Sequence, residues 1–352
     1  MSESSLPLIA ITVGDPAGIG PEVVVKALAS GRLREVCRPL VVGSAKVVAI
    51  ACRRFAPSLT PVASGQRDLR DLQWDGKALP VWGILGEDAE KVSFGTPTAA
   101  GGLASVEAIE EAARLCLSGA VEGMATAPIN KEAVHLAGYA DIGHQEVLAR
   151  MTNATEIATM LVAGPVRAVH LTTHVPFAQA ASYVTRDRVL ARLRLTHRTF
   201  GQWGMPLPRI AVAALNPHGG DNGLLGREEI EELAPAVAAA KSEGVQASGP
   251  IPADSVFLRA AAGEFDAVLA LYHDQGHIAV KMHDFHGSVS VNLGLPFVRT
   301  SVDHGTAYDI AGKGVADARS MEAAIRMAAQ LVSGRGLEAF QEAAVTSRRR
   351  KA

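Results

Sequence analysis

Short apolar runs alternate along this chain with longer stretches in which apolar residues recur at helical spacing. The short runs predict strands at residues 7–13, 38–44, 79–84, 91–95, 121–128, 209–218, 266–274 and 288–301, and a pair of strands around a Gly-Pro turn within 160–174. The longer stretches predict helices at residues 21–31, 104–119, 185–204, 227–244 and 321–334. Strands that alternate with helices indicate an α/β fold with a mainly parallel sheet.

Length and composition limit the size and the class of the protein. The chain has 352 residues, of which 48% are hydrophobic. At roughly 150 residues per domain it would form two domains or one large one. The formal net charge is −2, and no apolar stretch reaches the length of about 18 residues that a membrane helix needs. These features argue against a nucleic-acid or membrane partner and favour a small molecule as the ligand.

The three cysteines, Cys37, Cys52 and Cys116, are scattered and form no CxxC pair. Their number and spacing indicate reduced thiols rather than a disulfide framework or a zinc ribbon, which predicts a cytoplasmic protein. The N-terminus carries Glu3, no basic segment and only a short apolar run, so no signal peptide is predicted. The C-terminal SRRRKA is interpreted as a solvated terminus.

Histidines lie at the ends of three predicted strands. LTTH ends one strand at His174, LNPH ends another at His218, and LYHD ends a third at His273 and Asp274. Ligands of open α/β sheets bind beyond the carboxyl ends of the strands, where these imidazoles would meet. One histidine in such a position is more often a hydrogen-bonding or capping residue, but three together are typical of an open catalytic metal site. A divalent ion with a free position acts there as a Lewis acid on a substrate oxygen.

The segment YHDQGHIAVKMHDF, residues 272–285, places His273, His277 and Lys281 four residues apart. If the segment is helical, these side chains share one face. Lys281 would then bind an anion or transfer a proton close to the predicted metal. The local pattern alone favours the alternative, which is a solvated helix face.

Further segments carry polar residues that suit anions or turns. TAPINKEAV has Lys131 after a strand, and GHQEVLAR opens a helix at His144, where free N–H groups can hold an anion. Arg299, in VRTSVDHGTAYDIAGKG, is a bidentate partner for carboxylate or phosphate. Asp254 lies in the Gly- and Pro-rich segment GPIPADSVF, where an exposed acid usually belongs to a turn or a helix cap. Ordinary loop polarity is the alternative for each of them.

The stretch GDPAGIGPE, residues 14–22, has the composition of a nucleotide-binding loop but neither standard spacing. Its glycines are spaced GxxxGxG rather than GxGxxG, and it does not match the P-loop pattern GxxxxGK(S/T). It is therefore predicted to be a tight turn from a strand into a helix that begins at Pro21.

Eight segments together resemble, in the same order, the 4-hydroxythreonine-4-phosphate dehydrogenase family of pyridoxal phosphate biosynthesis. They are GDPAGIGPE, TAPINKEAV, GHQEVLA, LTTHVPF, LNPHGGDNGLLGREE, GPIPADSVF, YHDQGHIAVK and LGLPFVRTSVDHGTAYDIAGKG, and they lie within residues 7–317. The first of them is also similar to the GDGIGPE turn of isocitrate and isopropylmalate dehydrogenases, whose fold the family shares.

The resemblance implies a two-domain α/β/α sandwich of the isocitrate and isopropylmalate dehydrogenase type, with the active site in the cleft between the domains. The first domain is predicted to combine residues 1–137 and 312–352, and the second to span residues 138–311. The resemblance also implies NAD or NADP and a divalent metal (zinc, magnesium or cobalt) as cofactors. It implies a homodimer whose active site is completed across the subunit interface, and it leaves the residues that contact the nicotinamide cofactor unassigned.

The resemblance further implies roles for individual residues. The metal ligands of the family match His174, His218 and His273. Its substrate-binding residues match His144, Lys281 and Arg299. Its acidic positions near the metal match Asp254 and Asp274, and these two with Lys281 are the predicted catalytic residues.

The sequence departs from the family pattern at residues that would contact the substrate. Gln145 stands where threonine is usual, Ser290 stands where asparagine is usual, and the segment YHDQGHI replaces YHDQGLP. The family oxidises a secondary alcohol with hydride transfer to nicotinamide, and the resulting β-keto acid loses carbon dioxide. The predicted substrate is a small phosphorylated 3-hydroxy acid such as 4-hydroxythreonine 4-phosphate. Four-carbon sugar-acid phosphates of the threonate or erythronate type and carboxylated cyclic dihydrodiols are the alternatives.

Two functions of other classes remain open at this point. A phosphate acyltransferase on a related fold would not need three metal-ligating histidines. A ligand sensor derived from a dehydrogenase would not need to keep those histidines together with Lys281 and Arg299, so their presence argues against it.

Overall fold

The computed structural model describes residues 6–65, 69, 72–84, 89–140 and 143–334. These residues form two compact units, the first drawn from Met1–Thr155 and Leu295–Ser333 and the second from Glu156–Gly294. Residues 138–155 and 295–311 thus group with the first unit, whereas the sequence assigned them to the second domain. The predicted domain boundaries stay a prediction. The predicted first domain extends beyond residue 334, and that part, which includes the basic tail, lies outside the described residues.

Twelve strands and eleven helices are found in the described residues. The strands are β1 Leu8–Thr12, β2 Arg38–Gly43, β3 Thr60–Ala63, β4 Ala78–Gly83, β5 Gly123–Thr126, β6 Ala158–Ala163, β7 Val166–His170, β8 Ile210–Ala213, β9 Ala247–Ile251, β10 Ala267–Ala270, β11 Val289–Leu293 and β12 Val298–Val302. The helices are α1 Gly20–Ala29, α2 Ala45–Phe55, α3 Ala99–Leu117, α4 Lys131–Leu136, α5 His144–Thr152, α6 Phe177–Ala180, α7 Arg186–Gln202, α8 Ala234–Ser242, α9 Ala253–Ala261, α10 His273–His283 and α11 Arg319–Val332.

The sheet of the first unit has the strand order β3-β4-β2-β1-β5-β12, and every neighbouring pair in it is parallel. All five residues of β1 are buried, as expected for a strand covered on both faces. Helix α3 packs against this sheet, and its buried residues Val106, Ile109 and Ala113 belong to the main apolar cluster of the unit. The burial of this apolar material is what holds the sheet and its helices together.

The sheet of the second unit has the strand order β11-β6-β7-β10-β8-β9. The pairs β7–β10, β10–β8 and β8–β9 are parallel, whereas β6 is antiparallel to both β11 and β7. The short turn between β6 and β7 accounts for the antiparallel pairing of these two strands, because two antiparallel strands can be joined by a few residues. The parallel part places the carboxyl ends of β7, β10 and β8 side by side.

The turn GDPAGIGPE connects β1 to α1, as predicted. Gly14 has a φ of +70°, and a Cβ there would lie 2.3 Å from the carbonyl oxygen of Pro128. A Cβ on Gly20 would lie 2.3 Å from the carbonyl oxygen of Val13, so the backbone can approach this closely only at glycine. Helix α1 begins at Gly20, and Pro21 lies in its first turn, where no N–H is needed.

The polar groups of this turn bind within the first unit. The buried carboxylate of Asp15 accepts hydrogen bonds from the Ala17 N–H at 2.8 Å and from the Tyr308 hydroxyl at 2.6 Å. The Ile19 N–H donates to the carbonyl oxygen of Thr306 at 3.0 Å. Burial raises the pKa of Asp15 in spite of these hydrogen bonds. The turn is thereby tied to the segment around Tyr308, which explains its composition without a nucleotide.

Most of the predicted elements are confirmed, and the fold is α/β with a mainly parallel sheet in each unit. The strand predicted at 91–95 is wrong, because a short helical turn at Ala89–Lys91 and irregular backbone occupy this part of the chain. The helix predicted over 227–244 is a wide helical turn at Glu229–Leu233 followed by α8. The chain also forms β3 and β9, which the apolar pattern did not predict.

In the part of the chain that the structure describes, no helix is both long enough and apolar enough to cross a membrane. All three cysteines are free and buried. Burial raises the pKa of Cys37 and Cys116 to about 12 and that of Cys52 to about 11, so each is a neutral thiol that packs as a small apolar side chain.

Candidate active site

The three predicted metal ligands follow three adjacent parallel strands of the second unit. β7 pairs with β10, and β10 pairs with β8. His174 lies four residues beyond the end of β7, His218 five residues beyond the end of β8, and His273 three residues beyond the end of β10. The prediction that these histidines end their strands is wrong, because each strand stops earlier. All three histidines nevertheless follow carboxyl ends on the same edge of the sheet.

His218 lies in a turn with an unusual backbone. Residues His218, Gly219, Gly220, Asp221 and Asn222 all have positive φ values, from 43° to 80°. Three of these residues have a Cβ, and each such residue in the left-handed region costs on the order of 1 kcal/mol. Such a turn persists only when its surroundings fix it.

Glu229 fixes the chain at the entry to this turn. The side chain is 3% exposed, and its Oε1 accepts hydrogen bonds from the N–H groups of Leu215 and Asn216 at 2.8 and 2.7 Å. The Asn216 amide nitrogen donates to Glu229 Oε2 at 2.9 Å and to Glu228 Oε2 at 2.7 Å. Two carboxylates therefore hold Asn216, two residues before His218. The sequence analysis did not single out either glutamate.

His273 is the first residue of α10, and its ring orientation is set by the next residue. Nδ1 of His273 lies 2.6 Å from Oδ1 of Asp274. Because an ionised carboxylate can only accept, Nδ1 carries the hydrogen, and the lone pair lies on Nε2. A histidine that donates one N–H to a carboxylate and keeps the other nitrogen free is the usual form of a metal ligand. Asp274 is thus placed to orient His273.

The ring centroids of His174 and His273 lie 6.2 Å apart. This separation leaves room for an ion between two imidazole nitrogens, each about 2 Å from it. No cluster of three or more histidine, cysteine, aspartate or glutamate side chains suited to a metal ion occurs among the described residues of this single chain. The donor set suits a divalent ion such as zinc, and the three-histidine site stays a prediction.

The segment 272–285 forms helix α10 from His273 to His283, which confirms the helical interpretation. This helix places a further histidine, His277, against the ring of His273. The rings of His273 and His277 are stacked, with centroids 3.6 Å apart and planes 13° apart. Lys281, one turn farther along, places its ammonium 5.8 Å from the Phe285 ring centroid. Asp254 is exposed in the first turn of α9, and Ser290 is half-buried in β11. The roles predicted for these residues stay predictions.

The first unit holds the predicted anion-binding arginine. Arg299 is 5% exposed in β12, and its Nη2 donates to Oγ1 of Thr126 at 2.7 Å. Burial lowers the pKa of Arg299 to about 9, so the guanidinium remains charged at neutral pH. A carboxylate or phosphate bound to it would offset the cost of burying that charge.

His144 lies in the same unit, as the first residue of α5. Its Nε2 is buried and has no hydrogen-bond partner among the described residues. Burial, followed by the charge of Arg299, holds the pKa of His144 well below its ordinary value. The neutral imidazole can therefore hydrogen-bond a ligand without adding charge. Gln145, the next residue, is half-buried in the same helix.

Comparisons with known proteins point to one family. A family model described as "Pyridoxal phosphate biosynthetic protein PdxA" matches residues 35–328. The chain is 45% identical to a 4-hydroxythreonine-4-phosphate dehydrogenase of Geobacter metallireducens, over 94% of this chain and 97% of the relative. It is 42% identical to a D-threonate 4-phosphate dehydrogenase of Cupriavidus necator, over 94% of this chain and 98% of the relative.

A solved structure agrees with these relatives. The crystal structure of a 4-hydroxythreonine-4-phosphate dehydrogenase from Klebsiella pneumoniae matches with a TM-score of 0.86 and 40% identity. The match covers 94% of this chain and 99% of the other. The family predicted from the sequence is thus confirmed, whereas the predicted cleft between domains stays a prediction.

Glu229→Ala is expected to lower the free energy of unfolding by about 1–3 kcal/mol, because two buried backbone N–H groups lose their acceptor. Urea unfolding measures this loss, and hydrogen exchange should show faster exchange in residues 215–222. Glu231→Ala is the matched control, since Glu231 pairs with Arg227 at the surface and such pairs contribute little. Equal stability of the two variants would contradict the role given to Glu229.

Acid is expected to destabilise the protein through His144. The pKa of His144 is 6.5 in the unfolded chain and well below that in the folded chain, so below about pH 6.5 only the unfolded chain takes up this proton. The free energy of unfolding therefore decreases as the pH falls below 6.5. The decrease in the wild type is expected to exceed that in His144→Asn by up to about 1.4 kcal/mol per pH unit. Urea unfolding of both proteins from pH 5 to 7.5 tests this, and parallel pH profiles would refute it.

Proposed function

The chain belongs to the pyridoxal phosphate biosynthetic protein PdxA family, and from this premise we propose that it is a metal-dependent dehydrogenase linked to NAD or NADP. It oxidises the secondary alcohol of a small phosphorylated 3-hydroxy acid, and decarboxylation follows. The observation that carries the proposal is the placement of His174, His218 and His273 after three adjacent parallel strands, with Asp274 on Nδ1 of His273.

His174, His218 and His273 would hold the divalent ion, which when bound supplies Lewis-acid stabilisation of negative charge on substrate oxygen. A bound NAD or NADP would supply the hydride acceptor, and a base of this chain would take up the proton of the substrate hydroxyl. Lys281 is the proposed proton-transfer group, since α10 carries it on the same side as His273 and His277. Asp274 orients His273, and Asp254 is proposed to act beside the metal.

Arg299 and His144 are proposed to bind the anionic end of the substrate. A buried guanidinium forms charge-assisted hydrogen bonds with phosphate or carboxylate, and the neutral His144 beside it adds a hydrogen bond without repelling the anion. Lys281 would provide a second positive charge. Such fixed groups hold the reacting alcohol in one orientation, which contributes much of the rate enhancement in reactions of this kind.

The names of two relatives support two phosphorylated substrates. One relative is named for 4-hydroxythreonine 4-phosphate and the other for D-threonate 4-phosphate, and the two are 45% and 42% identical to this chain. Gln145 and Ser290 are proposed to choose between substrates of this size. Erythronate 4-phosphate and carboxylated cyclic dihydrodiols are further candidates. 4-Hydroxythreonine 4-phosphate carries an amino nitrogen that D-threonate 4-phosphate lacks. The side-chain amide of Gln145 and the hydroxyl of Ser290 would form different hydrogen bonds with these two substrates.

A homodimer with a shared active site is part of the proposal. The second unit of the single chain exposes several large apolar side chains, among them those of Phe177, Leu258, Ile278, Met282 and Phe285. An apolar surface of this kind is typical of a subunit interface. A cytoplasmic location, predicted from cysteine usage, belongs to the same proposal.

The phosphate acyltransferase and ligand-sensor alternatives make different predictions. Neither produces NADH from a hydroxy acid, and neither needs a bound divalent ion for turnover. A screen of the candidate substrates by NADH or NADPH absorbance, with and without a chelator, therefore tests the proposed function. Metal-dependent turnover would support the proposed dehydrogenase function. If none of the hydroxy acids is oxidised, the proposed function is wrong.

His218→Ala is expected to abolish both metal binding and turnover, because one of three ligands is lost. Metal content by elemental analysis and NADH formation are the two measurements. His197→Ala, which changes a histidine of α7 outside the site, serves as the control. A His218→Ala protein that keeps stoichiometric metal and full activity would exclude the proposed ligand set.

The double variant Gln145→Thr with Ser290→Asn is expected to shift the ratio of kcat/KM between D-threonate 4-phosphate and 4-hydroxythreonine 4-phosphate. A gained or lost hydrogen bond to a substrate polar group changes such a ratio by about tenfold or more. The ratio is measured with both substrates under saturating cofactor and metal. An unchanged ratio would show that these residues do not select the substrate.

A further inference from the structure

His170 of β7 and His277 of α10 form a pair of contacting imidazole rings in the second unit. His170, the last residue of β7, is 1% exposed. His277, in α10, is half-buried and stacks on His273. Nε2 of His170 and Nδ1 of His277 are 3.1 Å apart, although 107 residues separate them in the chain. Neither residue has a role in the proposed function.

The neighbours of this pair fix which nitrogens carry hydrogen. Nδ1 of His170 lies 3.3 Å from the carbonyl oxygen of Thr159, and Nδ1 of His277 lies 2.9 Å from that of His273. A carbonyl oxygen can only accept, so each Nδ1 is a donor. Nε2 of His170 then accepts from Nδ1–H of His277, which also faces the His273 carbonyl. These contacts favour the Nδ1–H tautomer of both rings.

The packing around the pair is built for the His170 ring. A Cβ on Gly276 would lie 2.4 Å from Nε2 of His170 and 3.0 Å from Cβ of Ala168. Only glycine at position 276 therefore lets the imidazole lie against α10.

The His277 ring in turn restricts His273. The stacked planes leave a centroid distance of 3.6 Å, so rotation of the His273 ring about its Cβ–Cγ bond would clash with His277. Asp274 holds the Nδ1 edge of the same ring at 2.6 Å. His273 is thus fixed on one face by His277 and on one edge by Asp274.

We propose that His170 and His277 are positioning residues that hold the ring of His273 in its metal-binding orientation. This inference rests on the proposed function, in which His273 is a metal ligand. His170 anchors His277 through the hydrogen bond between their rings, and His277 transmits that constraint by stacking. Residues that orient a metal ligand in this way typically contribute 10- to 100-fold, in order of magnitude, to metal affinity.

The test uses the full-length protein, freed of metal with a chelator and titrated with cobalt(II). His277→Leu and His170→Leu are expected to bind cobalt about 10- to 100-fold more weakly than the wild type. They should also change the visible absorption of the bound ion, which reports ligand geometry. His197→Leu, on α7, is the matched control and should bind as the wild type does. Wild-type affinity and spectrum in both His170→Leu and His277→Leu would overturn the inference.

Two conservative variants separate the hydrogen bond from general packing. In His277→Asn the amide nitrogen takes the place of Nδ1 and can still donate to His170, whereas in His277→Gln it takes the place of Nε2. His277→Asn is therefore expected to bind cobalt more tightly than His277→Gln. Equal affinities of these two variants would contradict the role of the ring-to-ring hydrogen bond.

Nuclear magnetic resonance tests the tautomers without any metal. Long-range ¹H–¹⁵N spectra of histidine-labelled, metal-free protein should show Nδ1–H on both His170 and His277. An Nε2–H form of either neutral ring would overturn the inference. The double variant His170→Leu/His277→Leu replaces both partners with apolar groups and is expected to stay folded, which thermal unfolding checks.

His174→Ala separates this inference from the proposed function. If His174→Ala keeps wild-type cobalt binding, the proposed metal site is wrong. If His174→Ala loses cobalt while the variants at His170 and His277 bind as the wild type does, the metal site stands and only the positioning role fails.

Discussion

The parallel pairing of β7, β10 and β8 is the constraint on which the candidate site depends. Because parallel strands end on the same edge of a sheet, the residues that follow them are brought together although they are far apart in the chain. His174, His273 and His218 each leave a different one of these strands. The burial of the strands fixes this edge, so the core of the second unit also sets the geometry of its chemistry.

Around this edge, polar side chains fix the loops and rings that apolar packing alone would leave variable. Glu229 holds the chain ahead of the left-handed turn of His218, and Asp274 and His277 hold the ring of His273. In the first unit, Arg299 keeps its charge in a buried position beside the neutral His144. The left-handed backbone at His218 and the buried charge of Arg299 each lower the stability of the protein without a ligand. Such costs are typical of sites that are organised to bind a ligand.

Much of this could be predicted from the sequence, because apolar periodicity is a local property. It predicted most strands and five of the eleven helices found in the described residues, and the strand ends indicated His174, His218 and His273. The strand predicted at 91–95 was wrong because short apolar runs also occur in irregular segments. His170 and Glu229 were missed because their partners are set by tertiary packing, and no local pattern marks a hydrogen bond between residues 170 and 277. The roles predicted for Asp254 and Lys281 stay predictions.

The central claim is that three histidines hold one divalent ion at the edge formed by β7, β10 and β8. X-ray absorption spectroscopy of the zinc-loaded protein tests it most directly, because the scattering pattern of imidazole rings gives the number of histidine ligands. The account predicts three histidine nitrogens at about 2.0–2.1 Å from the ion. A first shell made only of oxygen or sulfur, or a protein that retains no zinc, would contradict it.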